Sequence, residues 1–342
     1  MYSFRNDYNE GCHVKVLEAL IESNSVQTLG YSEDEYTEAM KNLIKEKCKD
    51  DTLDIHCVIG GTQANMLVIA SSLRPYQSVI SAVSGHINTH ETGAVEGSGH
   101  KILPIETKNG KITVKQIDEV VQSCPDEHMT QPKMVYISNP TELGTVYNVD
   151  ELKEIYEYTS THGLYLFLDG ARLASVLALD IITLADLAKY TDAFYIGGTK
   201  CGAMFGEAIV LSNDALKPDF RYMIKNRGAM LAKGRLMGVQ FKALLENDLY
   251  YDIGKWENKM ADKLRKGFEE VGCSFDGDSP SNQLFPNINK EVLYKLEKDF
   301  DYTYMYDVDE KTCNIRLVTS YATREDMVDL FVEKLKQYYQ EI

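Results

Sequence analysis

The feature that most constrains the fold of this chain is a pair of short apolar runs that each end in polar residues beside glycine. Residues 166–172 read LFLDGAR, and residues 195–203, which begin about thirty positions later, read YIGGTKCGA. Short apolar runs that stop at such turn residues are typical of buried strands. We therefore expect Asp169 and Lys200 to lie at the ends of two buried strands.

The chemistry of these two side chains suits a site for pyridoxal phosphate (PLP). Lys200 could form a Schiff base with the aldehyde of the cofactor, and Asp169 could keep the pyridine nitrogen protonated so that the ring accepts electrons. Taken singly, the two residues fit a simpler interpretation better, as a surface lysine after a strand and an aspartate at a helix N-cap. The motifs described below, added to this pair, favour the cofactor site.

Short apolar runs alternate with helical patterns over roughly the first two-thirds of the chain, which predicts an α/β fold with a mostly parallel sheet covered by helices. A chain of 342 residues can bury a large core. We predict a large domain at residues 1–238 and a small domain at residues 239–342. The N-terminal residues 1–15 are expected to pack at the active site or on the small domain.

The individual elements follow from the same patterns. In the large domain the sequence predicts a helix at residues 149–162 and strands at residues 54–59, 78–82, 133–138, 165–169 and 193–196. In the small domain it predicts a strand at residues 314–320 and a terminal helix at residues 325–339.

The composition excludes several classes of protein. A formal net charge of −16 disfavours attraction to nucleic acid or to an anionic membrane. The first residues lack the apolar segment of a signal peptide, and no later run is long enough to span a bilayer, so a cytoplasmic location is expected. The seven cysteines are dispersed and show no CxxC spacing, which indicates neither a disulfide framework nor a structural zinc site.

A glycine-rich element, IGGTQAN at residues 59–65, follows a predicted strand and precedes an apolar helix predicted at residues 66–73. The start of a helix offers unpaired N–H groups, and Gly60 and Gly61 would let a phosphate group approach the backbone. Thr62 could add a hydroxyl group. The element lacks the GxGxxG and GxxxxGK[ST] patterns, which favours a single phosphate over a nucleotide. A tight turn without a ligand explains it about as well.

A second polar element, SGHINTHETGAVE, occupies residues 84–96. The imidazole of His86 could lie flat on a pyridine ring and also reach a substrate hydroxyl. His90 and Glu91 are close enough in sequence to orient it. A metal ion would need further ligands from elsewhere, so we expect no metal site. A helix start with a hydrogen-bonded histidine is the simpler alternative.

The motifs GGTQAN, GHINTHETG, DGAR and GGTK, in this order, resemble those of the L-threonine aldolase family, within the β-eliminating lyase group of fold-type-I PLP enzymes. The resemblance covers nearly the whole chain. It implies a large domain with a mostly parallel seven-stranded sheet between helices, and a smaller C-terminal α+β domain. It also implies a PLP-dependent lyase that cleaves L-threonine, L-allo-threonine or a related β-hydroxy-α-amino acid to glycine and an aldehyde.

The resemblance assigns roles around the cofactor. It implies that Lys200 is the Schiff-base lysine and that Asp169 is the partner of the pyridine nitrogen. Gly61 and Thr62 match phosphate-binding positions. His86 matches the histidine that stacks on the cofactor and is our preferred base, or orienting group, for the substrate hydroxyl.

The resemblance also assigns residues to the substrate carboxylate. Arg172 matches the DGAR arginine near the cofactor and the carboxylate, and Arg316 matches the C-terminal arginine that grips it, a task that suits a planar guanidinium group. Taken alone, either arginine is better explained by an ordinary salt bridge. Asn6 replaces a serine that family members commonly place beside the carboxylate, and binding could persist through the amide.

One departure from the family affects proton transfer. Family members commonly carry a histidine after the strand that ends near residue 138, whereas this chain reads SNPTELG and places Thr141 there. A second imidazole for the substrate hydroxyl is therefore missing. His90 and His128 are the candidates to replace it.

The resemblance further implies an oligomer. The basic segment at residues 221–235 corresponds to a region that reaches the cofactor phosphate of a neighbouring subunit, which makes Arg227 and Lys233 candidate phosphate ligands. A solvated helix face is an equally good explanation of these charges. We expect a homodimer with shared active sites, assembled into a tetramer.

Two other functions stay open. A PLP lyase that eliminates a β-substituent would use the same Lys200 and Asp169 but release pyruvate and ammonia. A noncatalytic ligand-binding protein on the same fold would turn over no β-substituted amino acid.

Overall fold

A computed structural model describes the whole chain, residues 1–342. Its strands are β1 (Tyr2–Ser3), β2 (Asp54–Val58), β3 (Gln77–Ala82), β4 (Lys101–Ile105), β5 (Gln131–Ser138), β6 (Tyr165–Asp169), β7 (Ala193–Gly197), β8 (Glu207–Leu211), β9 (Gln283–Leu284), β10 (Asn287–Asn289), β11 (Phe300–Asp301), β12 (Thr303–Asp307) and β13 (Thr312–Val318). Its α-helices are α1 (Val14–Ser23), α2 (Glu35–Cys48), α3 (Gly61–Ser72), α4 (His86–Thr89), α5 (Ala94–Gly97), α6 (Val114–Gln122), α7 (Val149–Thr161), α8 (Leu173–Leu177), α9 (Leu184–Tyr190), α10 (Phe220–Asn226), α11 (Arg235–Leu245), α12 (Leu249–Glu270), α13 (Lys290–Leu296) and α14 (Glu325–Gln340).

Seven strands form the main sheet, in the order β2-β8-β7-β6-β5-β3-β4. The pairs that run from β7 through β6, β5 and β3 to β4 are parallel. Strand β8 is antiparallel to both of its neighbours, β2 and β7. The structure thus confirms the predicted α/β fold with a mostly parallel sheet.

All five strands predicted for this sheet are present, and their ends differ from the prediction by two residues at most. Strands β4 and β8 were not predicted. In β4, an exposed lysine and a proline interrupt the apolar pattern, as an edge strand permits. Helix α3 starts five residues before its predicted position because glycine and polar residues form its first turn.

The sheet separates two apolar cores, because successive side chains of a strand point to opposite faces. Val79 on β3 belongs to one core and Ile80 to the other. A third core lies among α12, α13, α14 and β13. Helix α12 passes from the first core at Leu249 to the third at Phe268. The division of the chain at residues 238 and 239 stays a prediction.

The N-terminal segment belongs to this third core. Strand β1 pairs with β11, and the side chain of Phe4 is fully buried among the C-terminal residues. No helix of the chain combines the length and the apolar character needed to cross a membrane.

One edge of the main sheet collects chain ends from many elements. Strands β3, β5, β6 and β7 are parallel, so their carboxyl ends meet there, and β2 ends at the same edge. Because β8 runs the other way, its first residue, Glu207, also lies at this edge. In open α/β sheets this is the edge at which ligands bind.

The contact between α8 and α12 provides a test of the fold. A Cβ atom added to Gly254 would overlap the backbone carbonyl of Ala174 and lie 3.0 Å from the Cβ of Ala178. We expect Gly254→Ala to lower the free energy of unfolding by about 1–3 kcal/mol, because the two helices must separate. Urea unfolding measures the loss.

The matched control is Gly97→Ala. Gly97 is also helical, and a Cβ atom there meets nothing within 4 Å. This change should leave stability equal or raise it by about 0.4–1 kcal/mol. Equal losses in the two variants would argue against close packing of α8 on α12.

Candidate active site

A cavity of about 330 Å³ opens at this edge of the main sheet. This volume lies within the range of small-molecule sites in proteins. Six residues that the sequence predicts for the site line its wall, namely Gly61, Thr62, His86, Asp169, Arg172 and Lys200. The fold therefore brings together predicted residues that are widely separated in sequence.

Lys200 lies in the tight turn that follows β7. The backbone N–H groups of Gly198 and Thr199 donate to the carbonyl of Gly206 and close this turn. Burial, and then the nearby charge of Arg172, lower the pKa of the Lys200 amine below its usual value. A lowered pKa raises the fraction of neutral, nucleophilic amine.

Asp169 ends β6 and is buried. Its Oδ2 atom accepts hydrogen bonds from the Tyr136 hydroxyl (2.6 Å) and the Asn65 amide (3.1 Å). Its Oδ1 atom accepts from the Tyr195 hydroxyl and from the backbone N–H of Ala171 (3.0 Å). Each oxygen thus accepts two hydrogen bonds, and the four donors together offset the cost of burying the charge.

These donors keep Asp169 ionised. Burial alone would raise the pKa of Asp169, but the nearby charge of His86 and the hydrogen bonds from Tyr136 and Tyr195 lower it below its usual value. Burial, and then the Asp169 charge, raise the pKa of both tyrosines well above their usual value, so both hydroxyls stay donors. An ionised carboxylate is the form that can stabilise a protonated ring nitrogen.

The strand register explains why both tyrosines reach Asp169. Phe167 on β6 is aligned with Tyr136 on β5 and with Ala193 on β7. Side chains two residues apart on a strand share a face, so Asp169 and Tyr195 lie on that same face, one step closer to the cavity. The two phenols therefore approach the carboxylate from the strands on either side.

The ring of His86 is fixed by a buried acid. Its Nδ1 atom lies 2.8 Å from Oε1 of Glu91, and the same oxygen accepts from the Asn65 amide at 2.7 Å. The carboxylate of Glu91 accepts a proton carried on Nδ1, which fixes the orientation of the ring. His90 is exposed and lies outside the cavity wall, with its ring centroid 5.6 Å from that of His86.

The residues predicted to bind an anion lie at the start of α3. Gly60 is the N-cap in an extended conformation, and no side chain caps the helix. Gly61 and Thr62 line the cavity. An uncapped helix start presents free N–H groups and the positive end of the dipole to an anion. A Cβ atom on Gly61 would approach the Tyr195 hydroxyl to 3.0 Å, which favours glycine there.

Arg172 is held by an acid that the sequence did not single out. Its Nε and Nη2 atoms donate to the two carboxylate oxygens of Asp7 at 2.6 and 3.1 Å, and the Asn282 amide also donates to Asp7. Asn6, predicted for the substrate carboxylate, accepts instead from the backbone N–H of Tyr8, and Tyr8 rather than Asn6 lines the cavity. Arg172 therefore anchors the N-terminal segment and has fewer free donors than expected.

Arg316 on β13 lies near Arg172 but outside the cavity wall. Its Nη2 atom donates to the carbonyl of Arg5 at 3.5 Å, and its buried Nε atom has no hydrogen-bond partner. Burial, and then the charge of Arg172, lower the pKa of Arg316. Unused donors of this kind suit a carboxylate ligand.

The segment after β5 contributes an acid that the sequence did not predict. Thr141 is buried, and its hydroxyl lies 2.8 Å from that of Thr145. The next residue, Glu142, lines the cavity, and its Oε1 atom accepts from the backbone N–H of His86 (2.8 Å) and from the Ser138 hydroxyl (2.7 Å). Glu142 and Thr141 thus lie in the region where family members commonly carry a histidine.

Glu207 is a second unpredicted acid in the wall. It begins β8, and its Oε2 atom accepts from the backbone N–H of Gly198 at 2.9 Å. Burial raises the pKa of Glu207 to about 7. The sequence could not reveal this residue because the direction of β8 decides which end of the strand reaches the site.

The remaining predicted residues lie on the surface. Arg227 at the end of α10 and Lys233 in the loop before α11 are exposed and do not line the cavity. His128 is exposed in the segment before β5 and does not line the cavity.

The cavity wall fits PLP. An amine with a lowered pKa suits the aldehyde, an ionised buried carboxylate suits the ring nitrogen, and an uncapped helix start suits the phosphate. Lys200, Asp169 and Gly61 supply these three groups in a single cavity.

Comparison with known proteins identifies related sequences. The family model described as beta-eliminating lyase matches residues 15–289. A low-specificity L-threonine aldolase of Pseudomonas sp. is 33% identical over 298 residues, which cover 86% of this chain and 86% of that protein. These matches confirm the resemblance inferred from the motifs.

Solved structures of other proteins are also similar to this chain. A structure of Leishmania major threonine aldolase is similar with a TM-score of 0.98 and 45% identity, and the match covers 99% of this chain and 100% of that one. A histidinol-phosphate aminotransferase of Clostridium acetobutylicum matches with a TM-score of 0.75 at 13% identity over the full length of both chains. The second likeness concerns the fold alone, and together they confirm the fold-type-I architecture.

The ionised state of Asp169 can be tested through stability. We expect Tyr136→Phe to lower the free energy of unfolding by about 1.5–3 kcal/mol at neutral pH, the range for a hydrogen bond to a charged group. In the control Tyr250→Phe, an equally buried hydroxyl loses its bond to the neutral carbonyl of Gly197 (2.8 Å). That loss should be about 0.5–1.5 kcal/mol.

The contribution of Asp169 to the free energy of unfolding changes with pH in a definite direction. The folded-state pKa of Asp169 is lowered, so its stabilising contribution is present above its unfolded pKa and is lost as the pH falls through its folded pKa. Urea unfolding should show the gap between Tyr136→Phe and Tyr250→Phe narrowing in acid. A gap that is absent at neutral pH would contradict an ionised Asp169.

Proposed function

Because this chain belongs to the beta-eliminating lyase family, we propose that it is a PLP-dependent lyase that cleaves L-threonine, L-allo-threonine or a related β-hydroxy-α-amino acid to glycine and an aldehyde. Support comes from the relatives named as threonine aldolases. The observation that carries the proposal is the meeting of the Lys200 amine, the Asp169 carboxylate and the start of α3 in one cavity.

In this proposal each of these groups binds a different part of the cofactor. Lys200 holds the aldehyde carbon, Asp169 holds the ring nitrogen in its protonated form, and Gly61 and Thr62 hold the phosphate. When bound, PLP supplies an electron sink for the pair of electrons released when the Cα–Cβ bond breaks. His86 lies against the ring, and its Nδ1 bond to buried Glu91 supports a fixed orientation.

Two arginines orient the substrate in this proposal. The unpartnered Nε of Arg316 supports its assignment to the substrate carboxylate. Arg172 keeps two donors on Asp7, so its main contribution is to hold the N-terminal segment, with Tyr8, beside the cavity. Asn6 stays a weaker candidate, because it does not line the cavity. A substrate held at its carboxylate presents the bond to be broken in one orientation.

We also propose a homodimer with shared active sites, assembled into a tetramer, in the cytoplasm. Arg227 and Lys233 are exposed in the monomer and could reach the cofactor phosphate of a partner subunit. Val14, Leu17 and Ile21 of α1 are 58%, 43% and 66% exposed, and their spacing places them on one helix face. An exposed apolar stripe of this kind supports an interface between subunits.

Lys200→Ala tests the cofactor assignment. We expect the variant to lose the visible absorbance of the covalently bound cofactor and all measurable turnover, because no other amine replaces the Schiff-base nitrogen. The control Lys189→Ala removes an exposed lysine on α9 and should change neither property. Visible absorbance that survives in Lys200→Ala would refute the assignment.

The products of the purified holoenzyme test the reaction. Incubation with L-threonine and, separately, with L-allo-threonine should yield glycine and acetaldehyde in equal amounts. Pyruvate and ammonia from a β-substituted amino acid, with no glycine, would identify the β-eliminating alternative. No turnover of any such substrate by folded holoprotein would favour the noncatalytic alternative.

The apolar face of α1 provides a test of assembly. The double change Leu17→Glu and Ile21→Glu should convert the oligomer to smaller species in size-exclusion chromatography with light scattering, because charge is disfavoured in an apolar interface. The control Val308→Glu adds a charge at a position that is 47% exposed and should leave the mass unchanged. An unchanged mass in the double variant would locate the interface elsewhere.

A further inference from the structure

Glu142 carries a carboxyl group that has no role in the function proposed above. It follows β5 at the carboxyl edge of the main sheet and lines the same cavity as His86 and Lys200. Both of its hydrogen bonds to the protein, from the backbone N–H of His86 and the Ser138 hydroxyl, are accepted by Oε1. No other residue donates a hydrogen bond to Oε2. The residue is therefore held at one oxygen and keeps the other for a ligand.

The surroundings of Glu142 favour proton exchange. Burial raises the pKa of Glu142, and the Asp169 charge adds to that effect, while the hydrogen bonds from Ser138 and from the His86 backbone oppose it. A carboxylate with a raised pKa is a stronger base than that of an ordinary glutamate.

Other polar groups in the cavity wall are less suited to accept and return a proton. The Thr141 hydroxyl is paired with Thr145, and a hydroxyl is a poor base. The Asp169 oxygens already accept four hydrogen bonds. Glu207 is 4% exposed, and it accepts a hydrogen bond from the backbone N–H of Gly198 in the turn that carries Lys200.

We propose that Glu142 is the base that removes the proton from the β-hydroxyl of the substrate. This proposal rests on the function proposed above. It assigns to Glu142 the role of proton acceptor, in place of the histidine that family members commonly carry and this chain lacks. His86 then acts as the fixed ring beside the cofactor, and its backbone N–H positions the carboxylate.

Oε2 of Glu142 accepts the hydroxyl proton, the O–H electron pair becomes the second bond of the aldehyde carbonyl, and the Cα–Cβ bond breaks with its electron pair left at Cα. A proton from water, added at Cα, then completes glycine. Glu142 returns its proton to water after the aldehyde has left.

Glu142→Gln isolates this role. The amide keeps the size of the side chain and an oxygen that can accept from His86 and Ser138, but it cannot take a proton. We expect kcat for cleavage of L-threonine to fall by about 10²–10⁴-fold. The control Glu154→Gln, an exposed change on α7, should retain full activity.

Glycine serves as the second substrate because it has no β-hydroxyl. In deuterium oxide, the exchange of its Cα proton requires the cofactor, Lys200 and the carboxylate grip but no hydroxyl base. Proton NMR should show that Glu142→Gln keeps this exchange within about threefold of the wild-type rate. Titration of the cofactor absorbance with glycine should give an unchanged Kd, which confirms that the site has folded.

The outcomes separate the hypotheses. Cleavage that falls less than about 10²-fold, the lower limit of a general-base contribution, would overturn the role of Glu142. Cleavage and glycine exchange that fall together would show that Glu142 only supports the site. Loss of cleavage in Glu207→Gln but not in Glu142→Gln would move the role to Glu207. Wild-type protein that exchanges glycine but cleaves no β-hydroxy amino acid would refute the proposed function itself.

Discussion

A buried, ionised carboxylate at the edge of the main sheet is the constraint on which the rest of the site depends. An isolated charge in such a position would cost far more than a folded domain can tolerate, so it persists only with hydrogen-bond donors around it. Asp169 receives them from Tyr136 on β5, Tyr195 on β7, Asn65 on α3 and its own turn. The register of three adjacent strands and the placement of one helix are thus tied to a single side chain.

The same donors connect groups with different tasks. The Asn65 amide bonds to both Asp169 and Glu91, and Glu91 in turn holds the ring of His86. On the other side of the cavity, Asp7 joins Arg172 to an N-terminal segment whose Phe4 lies in the C-terminal core. Movement of the C-terminal part relative to the sheet would therefore reach the cavity through Asp7 and Arg172.

The sequence predicts the parts of this site that follow from local pattern. Strand ends beside glycine located Asp169 and Lys200, and the glycine-rich helix start located Gly61. Asp7 was missed because its partner is 165 positions away. Glu207 was missed because its place depends on the antiparallel direction of β8. The tyrosine donors were missed because a tyrosine in an apolar strand is indistinguishable from core until the register of its neighbours is known.

The cavity wall contains three carboxyl groups whose different surroundings shift their pKa values in different directions and so give them different roles. Asp169, surrounded by donors, has a lowered pKa and stays an anion, whereas burial with few donors raises the pKa of Glu142 and Glu207. A group that must remain charged cannot also exchange protons during each turnover, so proton transfer falls to the groups with raised pKa or to His86. Because Glu142 is bonded to the His86 backbone, the position of the base depends on the position of the ring. A substitution that shifts His86 would therefore disturb proton transfer even if the imidazole never carries the proton.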